Sequence, residues 1–194
     1  MHELSESELF EAMHYAKSID EETGASIIER FQLDQTALSQ TILGIFPNII
    51  AEENVEMSYL FLDLCFDILC VFQYTFGPLT SQNDMDLDWV EKQALLLNAE
   101  LQSLIDDQQM DPKIRLKLQD RFVKRSLEET AQKRLVIFMN LAIDDFASED
   151  KARSSAIMIT QTMIFIVIRL FSNLYGAANK ALYNTPKISD HPLR

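Results

Sequence analysis

The chain has 194 residues, 47% of them apolar, with only four glycines and five prolines. That length and apolar share fit one domain with a sizeable core and argue against disorder, while the shortage of Gly and Pro disfavours an all-β fold. The net charge of −13 is unevenly placed: residues 1–111 carry three Lys/Arg against 22 Asp/Glu, and residues 112–194 carry fourteen against eight. Such an acidic excess disfavours nonspecific nucleic-acid binding by the molecule as a whole.

The first residues, Met1-His2-Glu3-Leu4-Ser5-Glu6, are polar and acidic, unlike a secretory or transit peptide. A first helix is expected from Ser5 to Glu21, opened by a capping box of Ser5 and Glu8. Its core stripe is Leu9, Ala12, Met13, Ala16 and Ile19. A second helix is expected over Ala25–Phe46, because Ile27, Phe31, Leu38, Ile42 and Ile45 keep one phase, and Pro47 is expected to stop it. Within it, Glu29 to Ile42 superficially resembles a helix-turn-helix. Gln32 stands where a turn glycine is usual, however, and the stretch Gln35–Phe46 has no Lys or Arg for phosphates.

A third helix over Glu52–Phe76 is apolar around most of its circumference and is expected at the centre. It carries both cysteines, Cys65 and Cys70. Five residues apart on a helix, they point about 140° from each other and cannot bridge, so buried reduced thiols are expected. After a loop from Gly77 to Asn83, a fourth helix is expected over Asp86–Gln108, with a narrow seam through Leu87, Val90, Ala94, Leu97, Leu101 and Leu104. Asp111-Pro112 signals the start of a fifth helix. Ser126 and Glu129 form a second potential capping box, and the continuation to Phe146 is expected to bury Leu127, Ala131, Leu135, Phe138 and Ala142. A sixth helix is expected over Ser154–Leu182, and its segment Ala156–Tyr175, whose one charge is Arg169, has about the length of a membrane span. A stripe of Thr162, Arg169, Asn173 and Lys180 argues for a soluble bundle helix instead. The expected fold is therefore all-α: one antiparallel bundle of about six helices over residues 1–183, with a loose tail over 184–194.

Candidate chemistry is sparse. Glu11 and His14 have the Glu-x-x-His spacing of di-iron bundles, but only one copy exists and it points away from the core stripe. Glu56, Asp63 and Asp67 align on the third helix. That row is either a solvated strip or a weak Mg²⁺ site in an enzyme acting on a phosphorylated substrate. Lys113, Lys117, Arg121 and Lys124 share an arc of about 80° and suit an anion or an acidic partner, or the acidic helices of the same chain. Met158, Met163, Phe165 and Phe66, with Arg169, are candidates to line a cavity for an amphipathic or anionic ligand. No nucleophilic triad, phosphate-cradling loop or redox cysteine pair is present in the sequence, and no cofactor is implied. The leading expectation is a non-catalytic, cytoplasmic protein–protein interaction module that self-associates, most simply as a homodimer. Its basis is that two helices each carry more apolar surface than one bundle centre absorbs.

Overall fold

A computed structural model describes residues 1–85 and 130–184 of the chain. The all-α class holds: every element among the described residues is helical. The fourth helix, the Pro112 start, the Ser126/Glu129 box and the tail beyond residue 184 lie outside the described residues.

Helix α1 (Glu6–Ser18) has the expected capping box, with Ser5 and Glu8 bonding each other's backbone N–H. Leu9, Ala12, Met13 and Ala16 form its buried face. It ends earlier than expected. Asp20 caps a new helix by accepting from the Thr23 N–H at 2.8 Å, so α2 (Glu21–Asp34) begins at once.

The single long second helix is not observed. The chain breaks at Gln35 (φ −135°, ψ 60°) and continues as α3 (Thr36–Gln40), a π-helical turn (Thr41–Ile45) and α4 (Phe46–Glu53). Pro47 does not end the helical run. It occupies the first turn of α4, where its missing N–H costs nothing, and the preceding wide turn is closed by the Phe46 N–H bonding the Thr41 carbonyl. The extra residue in that turn also rotates the phase, so Ile42 is buried whereas Ile45, expected in the core, is 48% exposed.

Helix α5 (Val55–Phe76) is capped by the Asn54 side chain and stopped by Gly77, whose φ of +90° favours glycine. It packs against α1, α4 and α7 (Ile157–Asn184), which places it at the centre as expected. Helix α6 (Lys133–Ser148) lies against α7. Thr130–Gln132 are not helical, so the expected continuation through Ala131 is broken there. The buried face of α6 is Leu135, Val136, Met139, Ile143 and Ala147, while Ala131 and Phe138 are exposed. The expected stripe was out of phase because it was extended backward across this break.

Helix α7 follows a 3-10 turn (Lys151–Ala156). Lys151–Gly176 is long and apolar enough to cross a membrane, with mean hydropathy 1.7, and 61% of its most apolar window is buried inside the molecule. The hydroxyls on its buried side are satisfied locally: Thr160, Thr162 and Ser172 each donate to the carbonyl four residues back. Thr162 is thereby buried rather than part of a solvent-facing stripe. An aromatic cluster joins three helices. Phe72 stacks on Phe171 (5.4 Å) and Tyr175 (5.6 Å), and Phe31 reaches Phe171 at 5.7 Å. The Tyr175 hydroxyl donates to the Gly77 carbonyl at 2.7 Å and so locks the C-terminus of α5 to α7.

Candidate functional site

The outer face of α2 presents Glu21, Gly24, Ala25, Ile28, Glu29 and Gln32, at spacings that keep them on one side of a helix. Opposite stand Leu62, Asp63 and Phe66 of α5, and Leu43 of the π turn closes one end. Together they line an open groove of about 590 Å³. Gly24 lies on its floor: a Cβ there would sit 3.4 Å from Phe66 Cζ, at the close end of van der Waals contact, so the aromatic ring packs directly over this turn of α2. Ile28, Leu43, Leu62 and Phe66 are each half-buried, as a floor that covers the core from one side only must be. Glu21, Glu29 and Asp63 are exposed and form an acidic rim. The lining thus sets an apolar floor beneath three carboxylates and the Gln32 amide, a pairing that offers apolar contact below and attraction for cations above.

The other candidates are dispersed. The row of Glu56, Asp63 and Asp67 is not one solvated strip. Asp67 is 2% exposed and accepts from Lys17 Nζ at 2.6 Å, across the α1–α5 interface. Burial pushes its carboxyl pKa upward and Lys17 pulls it partly back. Glu56 accepts from Arg153 Nε at 2.7 Å, and Arg153 also bonds Glu149 and the Phe146 carbonyl. Among the described residues no three His, Cys, Asp or Glu side chains gather as a metal set would. Phe66 lies in the groove, but Met163 and Phe165 are packed in the core on α7, and Met158 is half-buried on the same helix. The Arg169 guanidinium lies 5.8 Å from the Phe165 ring. Glu11 and His14 are exposed, as their phase indicates. Lys113, Lys117, Arg121 and Lys124 lie outside the described residues.

Two features were missed by reading the sequence. The groove depends on two segments far apart in the chain, and its one local signal is the Gly24-Ala25 pair on an otherwise well-formed helix. The second is Gln132, a fully buried amide. Its Nε2 donates to the His2 carbonyl at 2.7 Å and its Oε1 accepts from the Leu4 N–H at 3.0 Å. This clasp holds the first residues against α6 and buries Leu4 completely.

Comparison of the chain with protein-family models, with curated proteins and with solved structures returns no match.

Proposed function

We propose that the protein is a non-catalytic interaction module of the cytoplasm, which docks a basic amphipathic helix of a partner protein and also self-associates. The observation that carries this reading is the groove between α2 and α5, with an apolar floor flanked by Glu21, Glu29 and Asp63. Helix-in-groove recognition needs such a floor for the apolar face of the incoming helix. Carboxylates along the edges select cations on its flanks and repel acidic competitors. The net charge of −13 adds long-range attraction for a basic partner. The same acidity favours a cationic partner over an anionic ligand or nucleic acid.

The test is titration of the labelled protein with a short amphipathic helical peptide of Leu and Lys, alongside its Leu/Glu counterpart, followed by NMR. The Leu/Lys peptide is expected to shift the resonances of Ala25, Ile28, Leu62 and Phe66, and the Leu/Glu peptide to shift none. Binding of both peptides alike, or shifts that map away from α2 and α5, would sink the groove reading. Asp63→Lys is expected to weaken the Leu/Lys complex while leaving the helical content unchanged.

A further inference from the structure

Helix α6 is apolar on two opposite sides. At 100° per residue, the mean direction of Ile137 and Leu141 lies about 160° from that of Met139 and Ile143, the centre of its buried face. They are 49% and 63% exposed, and Phe138 beside them is 41% exposed. Between Leu135 and Ile143 the sole polar residue is Asn140. The outward charges stand only toward the two ends of the helix: Lys133 and Arg134 in the first turn, Asp144 and Asp145 about one turn from its C-terminus, all exposed. For an isolated helix this order is the wrong way round. The N-terminal end of the dipole is positive and favours acids, and the C-terminal end favours bases.

We infer that this face pairs with the same face of a second copy of the chain, antiparallel, about a two-fold axis at the level of Met139. The inference rests on the self-association part of the reading above and names the surface that would carry it. A two-fold operation inverts the direction of the helix while keeping each residue on its own side of the interface. Lys133 and Asp144 differ by about 20° around the helix, as do Arg134 and Asp145, so each basic residue shares a side with one acid. The operation therefore sets Lys133 against the partner's Asp144 and Arg134 against the partner's Asp145. Ile137 and Leu141 then meet their counterparts between the two charged ends. A parallel pair would instead set like charges together.

The intramolecular contacts of these residues leave room for this. Arg134 uses Nη1 for the Leu4 carbonyl (3.2 Å) and Glu3 (3.3 Å), and its side chain remains 48% exposed. Asp144 accepts one bond from Gln161 through Oδ1. A 16-residue helix is about 24 Å long, so the pair covers less than a standard interface and a micromolar dimer is expected.

Sedimentation velocity across a broad concentration range tests the inference, using the full chain and three variants. The parent is expected to dimerise reversibly, and more weakly as salt rises. Leu141→Glu and Lys133→Glu are each expected to raise the dissociation constant about tenfold or more. The double variant Lys133→Glu/Asp144→Lys is expected to return close to the parent. Within one helix those two positions are about 16 Å apart, so rescue can arise only across the antiparallel interface. Circular dichroism of each variant checks that the fold is intact, which the exposure of all three side chains favours. A parent that stays monomeric throughout overturns both this inference and the self-association reading. A dimer indifferent to Leu141→Glu overturns the α6 surface and leaves self-association standing. A dimer weakened by the single changes but not rescued by the double overturns the antiparallel register. Shielding of the Leu141 methyls from a soluble spin probe in dilute monomer would place another part of the same chain on this face, and would also overturn it.

Discussion

Lys17 and Asp67 meet at 2.6 Å between α1 and α5, with one partner largely in water and the other almost wholly out of it: their side chains are 63% and 3% exposed. The pair therefore serves more to place α1 on α5 than to stabilise the fold, since removing Asp67 from water offsets most of the attraction. Taking away Lys17 alone leaves a buried carboxylate without its cation. Lys17→Met is expected to cost about 1–3 kcal/mol, at the lower end because Lys17 is well solvated. The double variant Lys17→Met/Asp67→Leu is expected to recover most of that loss in urea denaturation. The pH dependence has a definite sign. The folded-state pKa of Asp67 is raised by burial, so between its unfolded and folded values the native state binds more protons than the unfolded one. Its contribution to stability improves as pH falls through that window, and the Lys17→Met penalty shrinks with it.

The N-terminal box of α1 acts in the opposite direction. Bonds from the Ser5 backbone and hydroxyl, and from His2, hold the Glu8 carboxyl down at about 2. Asp20 is lowered by its bonds from Thr23. Both groups add stability above their unfolded pKa values and lose it as pH falls toward their folded ones. A carboxyl-detected NMR titration should find Glu8 still ionised at a pH where other exposed glutamates are protonated. Ser5→Ala is expected to cost about 0.5–2 kcal/mol and to bring the Glu8 titration back toward the ordinary range.

The Gln132 clasp predicts a localised loss. Gln132→Leu keeps the bulk but strands the Leu4 N–H and the His2 carbonyl, at a cost of about 1–3 kcal/mol. Amide exchange should rise at Leu4 and at the first turn of α1 before it rises in α5. Equal acceleration throughout the molecule would contradict a clasp of local reach.

Both cysteines are buried and unbridged, as their spacing on one helix indicates. Burial raises the Cys65 pKa well above its ordinary value and that of Cys70 to about 12, with Asp67 adding to the latter. Neither thiol should react with iodoacetamide in the native protein at neutral pH, and both should react in denaturant. Labelling of one cysteine under native conditions would reveal local opening of α5.

The sequence was most legible where structure is decided by neighbours. The Ser5/Glu8 box, the α1 stripe, the Gly77 stop and the central position of α5 all follow from local spacing and hydropathy. Pro47 misled because its missing N–H is harmful only inside a regular helix, and the π turn before it supplies a fresh first turn. Ile45 and Phe138 misled for a related reason. A periodic stripe predicts burial only while the helix is unbroken, and an inserted turn or a non-helical joint rotates everything beyond it. The groove and the Gln132 clasp were hidden for a different cause. Each depends on segments that only tertiary folding brings together, and a buried amide reads in sequence like any surface glutamine.

The stacking of Phe72 on Phe171 and Tyr175 has a consequence for the newborn chain. These partners are separated by about a hundred residues, and closing so long a loop delays the contact. During synthesis α5 leaves the ribosome well before α7 exists to cover it. Until then the part of α5 that α7 covers, Phe72 included, faces water, a natural landing place for a holdase. Stalled or truncated products lacking α7 should thus be the aggregating species in cells, even where the finished protein is freely soluble.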